Sequence, residues 1–230
     1  MKRLYVVVEG PTEEGFVKEV LVPHLQAHSI FAVPIIVRTR RDMQTGAILG
    51  KGGGRWKHWY RDLMRLMGEH PGGEVAFTTL IDLYGIPDDF PQLQMLSALK
   101  DTHQRALRLE EVMFQQFEDR RFIPYVQRHE FEALVLASLD ALVELLDDPA
   151  DVSGLEQLRA ELAKLAPEDV NDGAQTAPSK RLLARIPSYR KTLHGPLAVA
   201  GAGLVHLRAV CPRFDAWVTK LESLAVSEAQ

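Results

Sequence analysis

The fold of this chain is decided near its start, by the stretch Leu4-Tyr5-Val6-Val7-Val8-Glu9-Gly10-Pro11-Thr12-Glu13-Glu14. Its first five residues are apolar or aromatic and do not alternate with polar ones, which predicts a strand buried on both faces of a parallel sheet. Pro11 and the acidic residues after it are typical of the first turn of a helix. The stretch therefore predicts a buried strand that runs directly into a helix.

Three more apolar runs, at 31–37, 75–81 and 122–126, predict further strands, and Pro34 favours an edge position for the first of them. Helical spacing separates these runs, so we expect an α/β fold: a parallel sheet flanked by helices, with a helical C-terminal elaboration. The predicted division is an α/β core at 1–128 and helices packed on it at 129–230.

Local signals predict where these elements are interrupted. Pro23 should end or kink the first helix at about Val22. Residues 39–54, which include Gly50-Lys51-Gly52-Gly53-Gly54, should form a loop, and residues 93–118 one long or broken helix.

Composition narrows the class of protein. The chain has 230 residues, a net charge of −4 and a single cysteine, which excludes a disulfide framework and a cysteine-rich zinc module. No apolar run approaches the roughly 18–20 residues that cross a bilayer, and the apolar stretch at the start is too short for a signal peptide. We therefore expect a cytoplasmic protein with no membrane partner.

Charge is unevenly distributed along the chain. Residues 38–65 contain eight basic and two acidic side chains, and residues 140–172 contain ten acidic ones. Residues 173–214 carry seven Lys or Arg and no acidic residue. These blocks are either solvated helix faces or local sites for phosphate or an acidic partner.

Carboxylates gather where the predicted strands end. Glu9 ends the first strand, Asp82 ends the third, and Glu13 lies one helical turn after Glu9. Ligands of open α/β sheets bind at the carboxyl ends of the strands, and Mg²⁺ prefers carboxylate oxygen ligands. The alternatives to metal binding are that Glu13 only interacts favourably with the helix dipole and that Asp82 only begins a turn.

The chain resembles toprim domains, particularly those of nucleases of the overcoming-lysogenization-defect family. The shared features are a buried strand ending in Glu9-Gly10, with Glu13 four residues on, and a strand ending in Asp82. The whole chain is more closely similar to a bacterial toprim-like family of unknown function, through Val8-Glu9-Gly10-Pro11-Thr12-Glu13-Glu14, Ile81-Asp82-Leu83-Tyr84-Gly85, His129-Glu130-Phe131-Glu132, Ala177-Pro178-Ser179-Lys180-Arg181 and Cys211-Pro212-Arg213-Phe214.

The resemblance implies Mg²⁺-dependent phosphodiester chemistry, with Mn²⁺ as an alternative metal. It implies Glu9 as a metal ligand or general acid/base, Glu13 as a further ligand and Asp82 as the principal ligand. Tyr84 stands where toprim domains have the second Asp of an Asp-x-Asp pair. The missing carboxylate could come from Asp88 or Asp89, or from Glu130 or Glu132.

The resemblance also implies a lysine that stabilises developing negative charge, and Lys180 and Lys191 both remain candidates, with Arg181 beside them. Phosphate contacts dominate nucleic-acid affinity, so we expect the basic residues to track the nucleic-acid backbone. The residues predicted to bind nucleic acid are Arg38, Arg40, Arg41, Lys51, Arg55, Lys57 and Arg181.

These features predict a Mg²⁺-dependent nuclease or related phosphodiester-cleaving subunit that acts on DNA or RNA. No Walker loop is present, so an ATPase of the ABC type would be a separate partner encoded nearby, in a phage-defence or mobile-element setting. One alternative is a catalytically degenerate toprim-like adaptor that binds nucleic acid or a partner protein. The other is an enzyme acting on a small phosphate compound.

Overall fold

A computed structural model of the chain describes residues 1–41, 48–51, 54–171, 173 and 176–228, and at 38–41, 48–51 and 226–228 it describes the backbone alone. The strands of this part are β1 (Lys2–Val8), β2 (Ile30–Ile36), β3 (Arg38–Arg41), β4 (Ile48–Lys51), β5 (Val75–Asp82), β6 (Phe122–Ile123) and β7 (Val126–Gln127). The main sheet is parallel, in the order β2, β1, β5, β6, and β7 pairs further along β5. The α/β prediction is confirmed, and β2, with Pro34, lies at the edge as expected.

Helices cover both faces of the sheet. They are α1 (Pro11–Phe16), α2 (Val22–Ala27), α3 (Trp56–Glu69), α4 (Leu93–Ser97), α5 (Thr102–Phe117), α6 (Glu132–Leu136), α7 (Leu139–Val143), α8 (Pro149–Leu162), α9 (Pro178–Arg185), α10 (Lys191–Ala202), α11 (Leu204–Val210) and α12 (Pro212–Glu222). Short 3₁₀ turns lie at Leu83–Gly85, Pro167–Asp169 and Ser223–Glu228. Within the described ranges, every helix is too short or too polar to cross a membrane.

Strand β1 joins two hydrophobic clusters because its side chains alternate between the faces of the sheet. Leu4, Val6 and Val8 contribute to a cluster that includes residues from every helix between α6 and α12. Tyr5 and Val7 contribute to the other, which contains residues of α3, α4 and α5. The helical C-terminal part therefore shares its core with one face of the sheet, and the division at residue 128 stays a prediction.

The first helix does not end at Val22. A π-helical segment, Val17–Leu21, follows α1, and α2 continues through Pro23. In this wider turn the N–H of Val22 donates to the carbonyl of Val17, five residues earlier. A local change of hydrogen-bond spacing helps a helix accommodate a proline, which has no N–H to donate. The predicted irregularity is present, but the chain remains helical.

Two other predicted elements differ in detail. Residues 39–54 are not wholly a loop, because β3 and β4 pair antiparallel within them. The predicted strand at 122–126 is split at Pro124, and Thr79 bridges the gap: its Oγ1 accepts the N–H of Tyr125 at 2.8 Å and donates to the Tyr125 carbonyl at 2.9 Å. The helix predicted at 93–118 is broken, with Asp101 capping its second half.

Candidate functional site

The carboxyl ends of β1 and β5 lie side by side, and each carries an acidic residue. The parallel register pairs Val8 with Leu80, so Glu9 and Asp82 leave the sheet at the same edge. The main-chain N–H of Asp82 interacts with the Glu9 carboxylate and partly offsets the rise that burial causes in the pKa of Glu9. The same carboxylate packs against Gly85, where any Cβ would overlap it. The structure thus brings together the two acids that the sequence singled out.

Glu13 reaches the same edge from the first turn of α1. Its Oε2 accepts the N–H of Gly10 at 2.9 Å, which caps the start of the helix. Burial raises the pKa of Glu13, and the nearby Glu9 raises it further. Glu13 therefore has a capping role and also belongs to the acidic group at the sheet edge.

Glu132 and Lys191 complete the group from the helical part. Glu132 lies in α6 with 1% of its side chain exposed, and its Oε1 is 3.1 Å from Nζ of Lys191, the first residue of α10. Burial raises the pKa of Glu132 to about 7 despite this ion pair. Burial lowers the pKa of Lys191, but Glu132, Glu130 and Asp82 outweigh it, so the ammonium remains charged.

The acid cluster consists of Glu9, Glu13, Asp82 and Glu132. Burial raises the pKa of Asp82 well above its usual range, and Glu13 and Glu9 raise it further. Oε2 of Glu9 and Oδ1 of Asp82 are shielded from solvent and have no hydrogen-bond partner among the described residues. Buried carboxylate oxygens are normally hydrogen-bonded, so these two require an explanation.

A hard divalent cation would supply the missing partners. Mg²⁺ commonly binds through one or two carboxylates and keeps several waters, and Mn²⁺ accepts the same oxygen ligands. The ligand atoms of the acid cluster lie farther apart than in a closed chelate. In the described part of the chain, the group of three residues whose ligand atoms all lie within 4.8 Å of one another is at another place. The donor set therefore fits a hydrated cation held by Glu9 and Asp82.

Tyr84, two residues after Asp82, faces His129 instead of the acid cluster. Its hydroxyl lies 3.3 Å from Nδ1 of His129, and the amide nitrogen of Asn171 lies at the same distance from that atom. Burial lowers the pKa of His129 to about 4, so the imidazole is neutral and Nδ1 can accept from these donors. His129 also adopts a left-handed backbone conformation, with φ of 67°, which is unusual for a residue other than glycine.

The remaining acidic candidates lie at different places. Oε2 of Glu130 accepts the N–H of Ser179 at 2.9 Å, at the start of α9, and Glu130 contributes to the raised pKa of Glu9. Asp88 is exposed in a turn, and the neighbouring Asp89 accepts the N–H of Trp56 at 2.6 Å at the start of α3. A metal-binding role for Asp88 stays a prediction without a supporting contact.

Of the two lysine candidates, Lys191 lies beside the acid cluster. It opposes the rise in the pKa of Asp82 and of Glu132. Lys180 is exposed on α9 and is not among the main influences on any of these carboxyl groups. Arg181, its neighbour, donates from Nε to the carbonyl of Thr176 at 2.9 Å.

The residues predicted to bind nucleic acid are only partly visible. Arg55 and Lys57 are exposed at the beginning of α3. The side chains of Arg38, Arg40, Arg41 and Lys51 lie outside the described residues, although their backbones form β3 and β4. The prediction for this basic segment therefore remains untested.

From the sequence, Glu130 and Glu132 were both candidates for the missing carboxylate, and Tyr189 was not identified. The Tyr189 hydroxyl is buried without a hydrogen-bond partner in the described part of the structure, and Glu132 and Glu130 contribute to its raised pKa. The sequence signal that could have identified Tyr189 was its place in the run Tyr189-Arg190-Lys191, within residues 173–214, which contain no acidic residue.

The segment around Cys211 makes its hydrogen bonds and ion pairs with residues outside the acid cluster. The carboxylate of Glu168 accepts the N–H groups of Arg213 and Phe214, and the Arg213 guanidinium pairs with Glu110 at 2.5 Å. A cavity of about 390 Å³ borders Arg213 and Glu110 and includes no residue of the acid cluster in its wall. These contacts anchor the start of α12 to α5.

Comparison with known proteins places the chain in a family. Two solved structures of the C-terminal region of the OLD protein from Xanthomonas campestris pv. campestris are similar to it. One has a TM-score of 0.49 and 14% identity over 99% of this chain and 95% of that one, and the other a TM-score of 0.45 and 15% identity over 99% and 98%. No curated protein matches the chain. The model of the family named domain of unknown function DUF4276 matches residues 8–222, and the chain belongs to that family.

Proposed function

We propose that this protein is a Mg²⁺-dependent nuclease, or a related phosphodiester-cleaving subunit that acts on nucleic acid. The observation that carries the proposal is the pair of buried, unpartnered oxygens on Glu9 and Asp82. They lie at the carboxyl edge of a parallel sheet, where ligands of such sheets bind. The sequence resemblance of this edge to toprim domains points to the same chemistry.

Glu9 and Asp82 would hold the cation, and Glu13 would add negative charge beside them. A bound Mg²⁺ or Mn²⁺ supplies Lewis acidity toward a phosphoryl oxygen and lowers the pKa of a bound water. Loading requires the carboxylates to be ionised, so their raised pKa values imply that protons leave the acid cluster when metal binds. In the alternative role that the resemblance implies, Glu9 would accept a proton from an attacking water while Asp82 holds the cation.

Lys191 would act on the charge of the phosphate. Its ammonium is held next to the acid cluster by Glu132, while 44% of its side chain remains exposed to a ligand. A fixed cation at this place stabilises the negative charge that develops on the phosphoryl oxygens. Tyr189, two residues before Lys191 in sequence and close enough to Glu132 for its pKa to be affected, would help to define the same wall of the site.

Recognition of the substrate would fall to the basic segment between Arg38 and Lys57, together with Arg181. Contacts with phosphates give affinity without reading sequence, in keeping with cleavage of varied nucleic acids. An ATPase of the ABC type would act as a separate partner, and phage defence is the setting that the resemblance favours.

The decisive experiment is cleavage of plasmid and single-stranded substrates with Mg²⁺ or Mn²⁺. Glu9→Gln and Asp82→Asn keep side-chain size but remove charge, so each should lower the rate at least about 100-fold. Glu14→Gln is the matched control, because Glu14 pairs with Lys18 on the outer side of α1 at 2.9 Å and should change the rate less than about 2-fold. Cleavage that survives both site changes would place the chemistry elsewhere.

The choice of lysine can be tested in the same assay. Lys191→Gln should lower the rate by roughly 100-fold, as expected for removing a group that stabilises transition-state charge. Lys180→Gln should act only through weaker substrate binding and raise KM. A larger loss of kcat in Lys180→Gln would reverse the assignment.

An adaptor that binds nucleic acid or a partner protein is the second candidate function. Its supporting observation is Tyr84, which faces His129 where toprim domains carry a second metal-binding aspartate. Absence of cleavage with both metals, even with a co-purified ATPase, would support the adaptor, provided that binding to nucleic acid or to the ATPase is retained.

A further inference from the structure

A second group of metal-binding side chains lies away from the sheet edge. His24 in α2, His28 directly after α2 and Glu222 at the end of α12 form the histidine cluster, and their ligand atoms all lie within 4.8 Å of one another. Nε2 of His24 is 2.6 Å from Oε1 of Glu222, and Nε2 of His28 is 3.8 Å from the same oxygen. Residues 198 positions apart in sequence therefore converge on one carboxylate.

The spacing of the histidines is suited to sharing an ion. Residues four apart on a helix lie one above the other, and the two rings here have centroids 5.0 Å apart. Around a tetrahedral zinc ion with bonds of about 2.0–2.2 Å, neighbouring ligand atoms are about 3.3 Å apart. The present separations of 2.6 and 3.8 Å fall on either side of that value, so small side-chain rotations would bring both nitrogens into place.

The chemistry of the donors selects the metal. Two imidazoles and one carboxylate form a donor set typical of zinc, whereas Mg²⁺ prefers oxygen ligands alone. His24 is 26% exposed, His28 42% and Glu222 19%, so an ion can enter from solvent. Water would complete the coordination on the exposed side.

The charged groups around the histidine cluster are Glu222, Asp215 and Arg208. Arg208 donates to Glu222 and also to Asp215, and its Nη2 donates to Thr219 at 2.9 Å. Arg208 thus contacts Oε1 of Glu222, the same oxygen that both histidines approach, so a metal would displace this contact or bind through Oε2. With neutral histidines, the two carboxylates and one guanidinium leave a net negative charge that favours a cation.

We propose that His24, His28 and Glu222 form a zinc-binding site that fastens α2 to α12. The site is independent of the acid cluster and of the proposed nuclease activity. Its occupancy would link the first helical segment of the chain to the last long helix.

Zinc titration of the full chain by calorimetry tests the site. Wild type should bind one Zn²⁺ per chain, and His28→Gln should weaken binding at least 10-fold. His28 is the informative position because at 3.8 Å it makes little contact with Glu222 without metal. His58→Gln, on α3, is the matched control and should bind like wild type.

X-ray absorption of the zinc-loaded protein identifies the ligands directly. Two imidazole nitrogens in wild type, and one in His28→Gln at saturating zinc, would support the site. Equal affinity in wild type and His28→Gln, or a spectrum without histidine ligands, would overturn it. Mg²⁺-dependent cleavage by His28→Gln should remain at the wild-type rate, so failure of this site and failure of the nuclease proposal are distinguishable.

Discussion

The acid cluster and the histidine cluster hold their charges in opposite ways. The acid cluster lies at a sheet edge, with Glu13 and Glu132 buried and Glu9 and Asp82 half-buried, and burial raises the pKa of all four. The histidine cluster lies at the surface, and the pKa of its carboxylate, Glu222, shifts in the opposite direction. Burial raises the pKa of Glu222, but hydrogen bonds from Arg208 and His24 outweigh it and the pKa is lowered.

The difference separates two kinds of candidate ion site. In the histidine cluster, protein groups already neutralise the carboxylate, so a metal would replace existing contacts. In the acid cluster, Lys191 pairs with Glu132, while Oε2 of Glu9 and Oδ1 of Asp82 lack partners in the described structure. A cation would therefore relieve a larger electrostatic penalty in the acid cluster than in the histidine cluster.

The strongest test of this contrast is Gly85→Ala. An added Cβ would overlap the carboxylate of Glu9, which is the flexible end of a side chain and can move away without unfolding the protein. Because a displaced ligand weakens metal binding, we expect metal-dependent cleavage to fall by about 10–100-fold while zinc binding by the histidine cluster is unchanged.

Gly72→Ala is the matched control for this substitution. A Cβ at Gly72 meets no atom within 4 Å, so neither activity nor zinc binding should change. Full cleavage activity in a folded Gly85→Ala protein would show that the position of the Glu9 carboxylate is unimportant.

The two clusters should also respond to pH with opposite signs. A carboxyl group whose pKa is raised by folding binds more protons in the native state, so its contribution is complete below the unfolded pKa and is lost as pH rises. For Glu132 the loss should occur between about pH 4.5 and 7 and be on the order of 3 kcal/mol. Glu222, with a lowered pKa, stabilises above its unfolded value and loses this effect as pH falls.

Denaturant unfolding from pH 4.5 to 8 in the presence of a chelator measures this dependence. Glu132→Gln should reduce the fall in the free energy of unfolding with rising pH, whatever its effect on stability at one pH. Glu161→Gln, which removes a carboxylate paired with Arg185 at the surface, should leave the slope unchanged. An unaltered slope in Glu132→Gln would contradict the raised pKa of Glu132.

The smallest effect is expected at Tyr84. Tyr84→Asp introduces an acid two residues after Asp82, and the added negative charge should tighten Mg²⁺ binding a few-fold. Tyr84→Phe removes only the hydroxyl near His129 and should leave Mg²⁺ affinity unchanged. Calorimetric titration compares them, and an unchanged affinity in Tyr84→Asp would mean that position 84 is too far from the metal to contribute.

The parallel sheet was predictable because its central strands are continuous apolar runs. Leu4 to Val8 and the run ending at Asp82 carry this signal without help from distant residues. Rules based on local sequence were less successful where hydrogen-bond spacing within a helix, or pairing between two strands, decides the structure. The chain continues through Pro23 because a π turn precedes it, and β3 pairs with β4 although neither is an apolar strand.

The acids at the sheet edge were predictable for the same reason, since Glu9 and Asp82 end strands. The choice between Lys180 and Lys191 could not be predicted from the sequence, because it depends on how α9 and α10 pack against α6 and α1. The histidine cluster was also beyond local reasoning. His24 and Glu222 lie at opposite ends of the chain, and only the tertiary fold brings them together.

The π-helical segment Val17–Leu21 fixes the rotational phase between α1 and α2. Each residue of a regular α-helix turns the chain by about 100°, so losing the one extra residue would rotate α2 by more than a quarter turn relative to α1. His24 would then point away from Glu222, while Glu13 stayed at the sheet edge. A family member shortened by one residue between these positions could keep the acid cluster but not the histidine cluster.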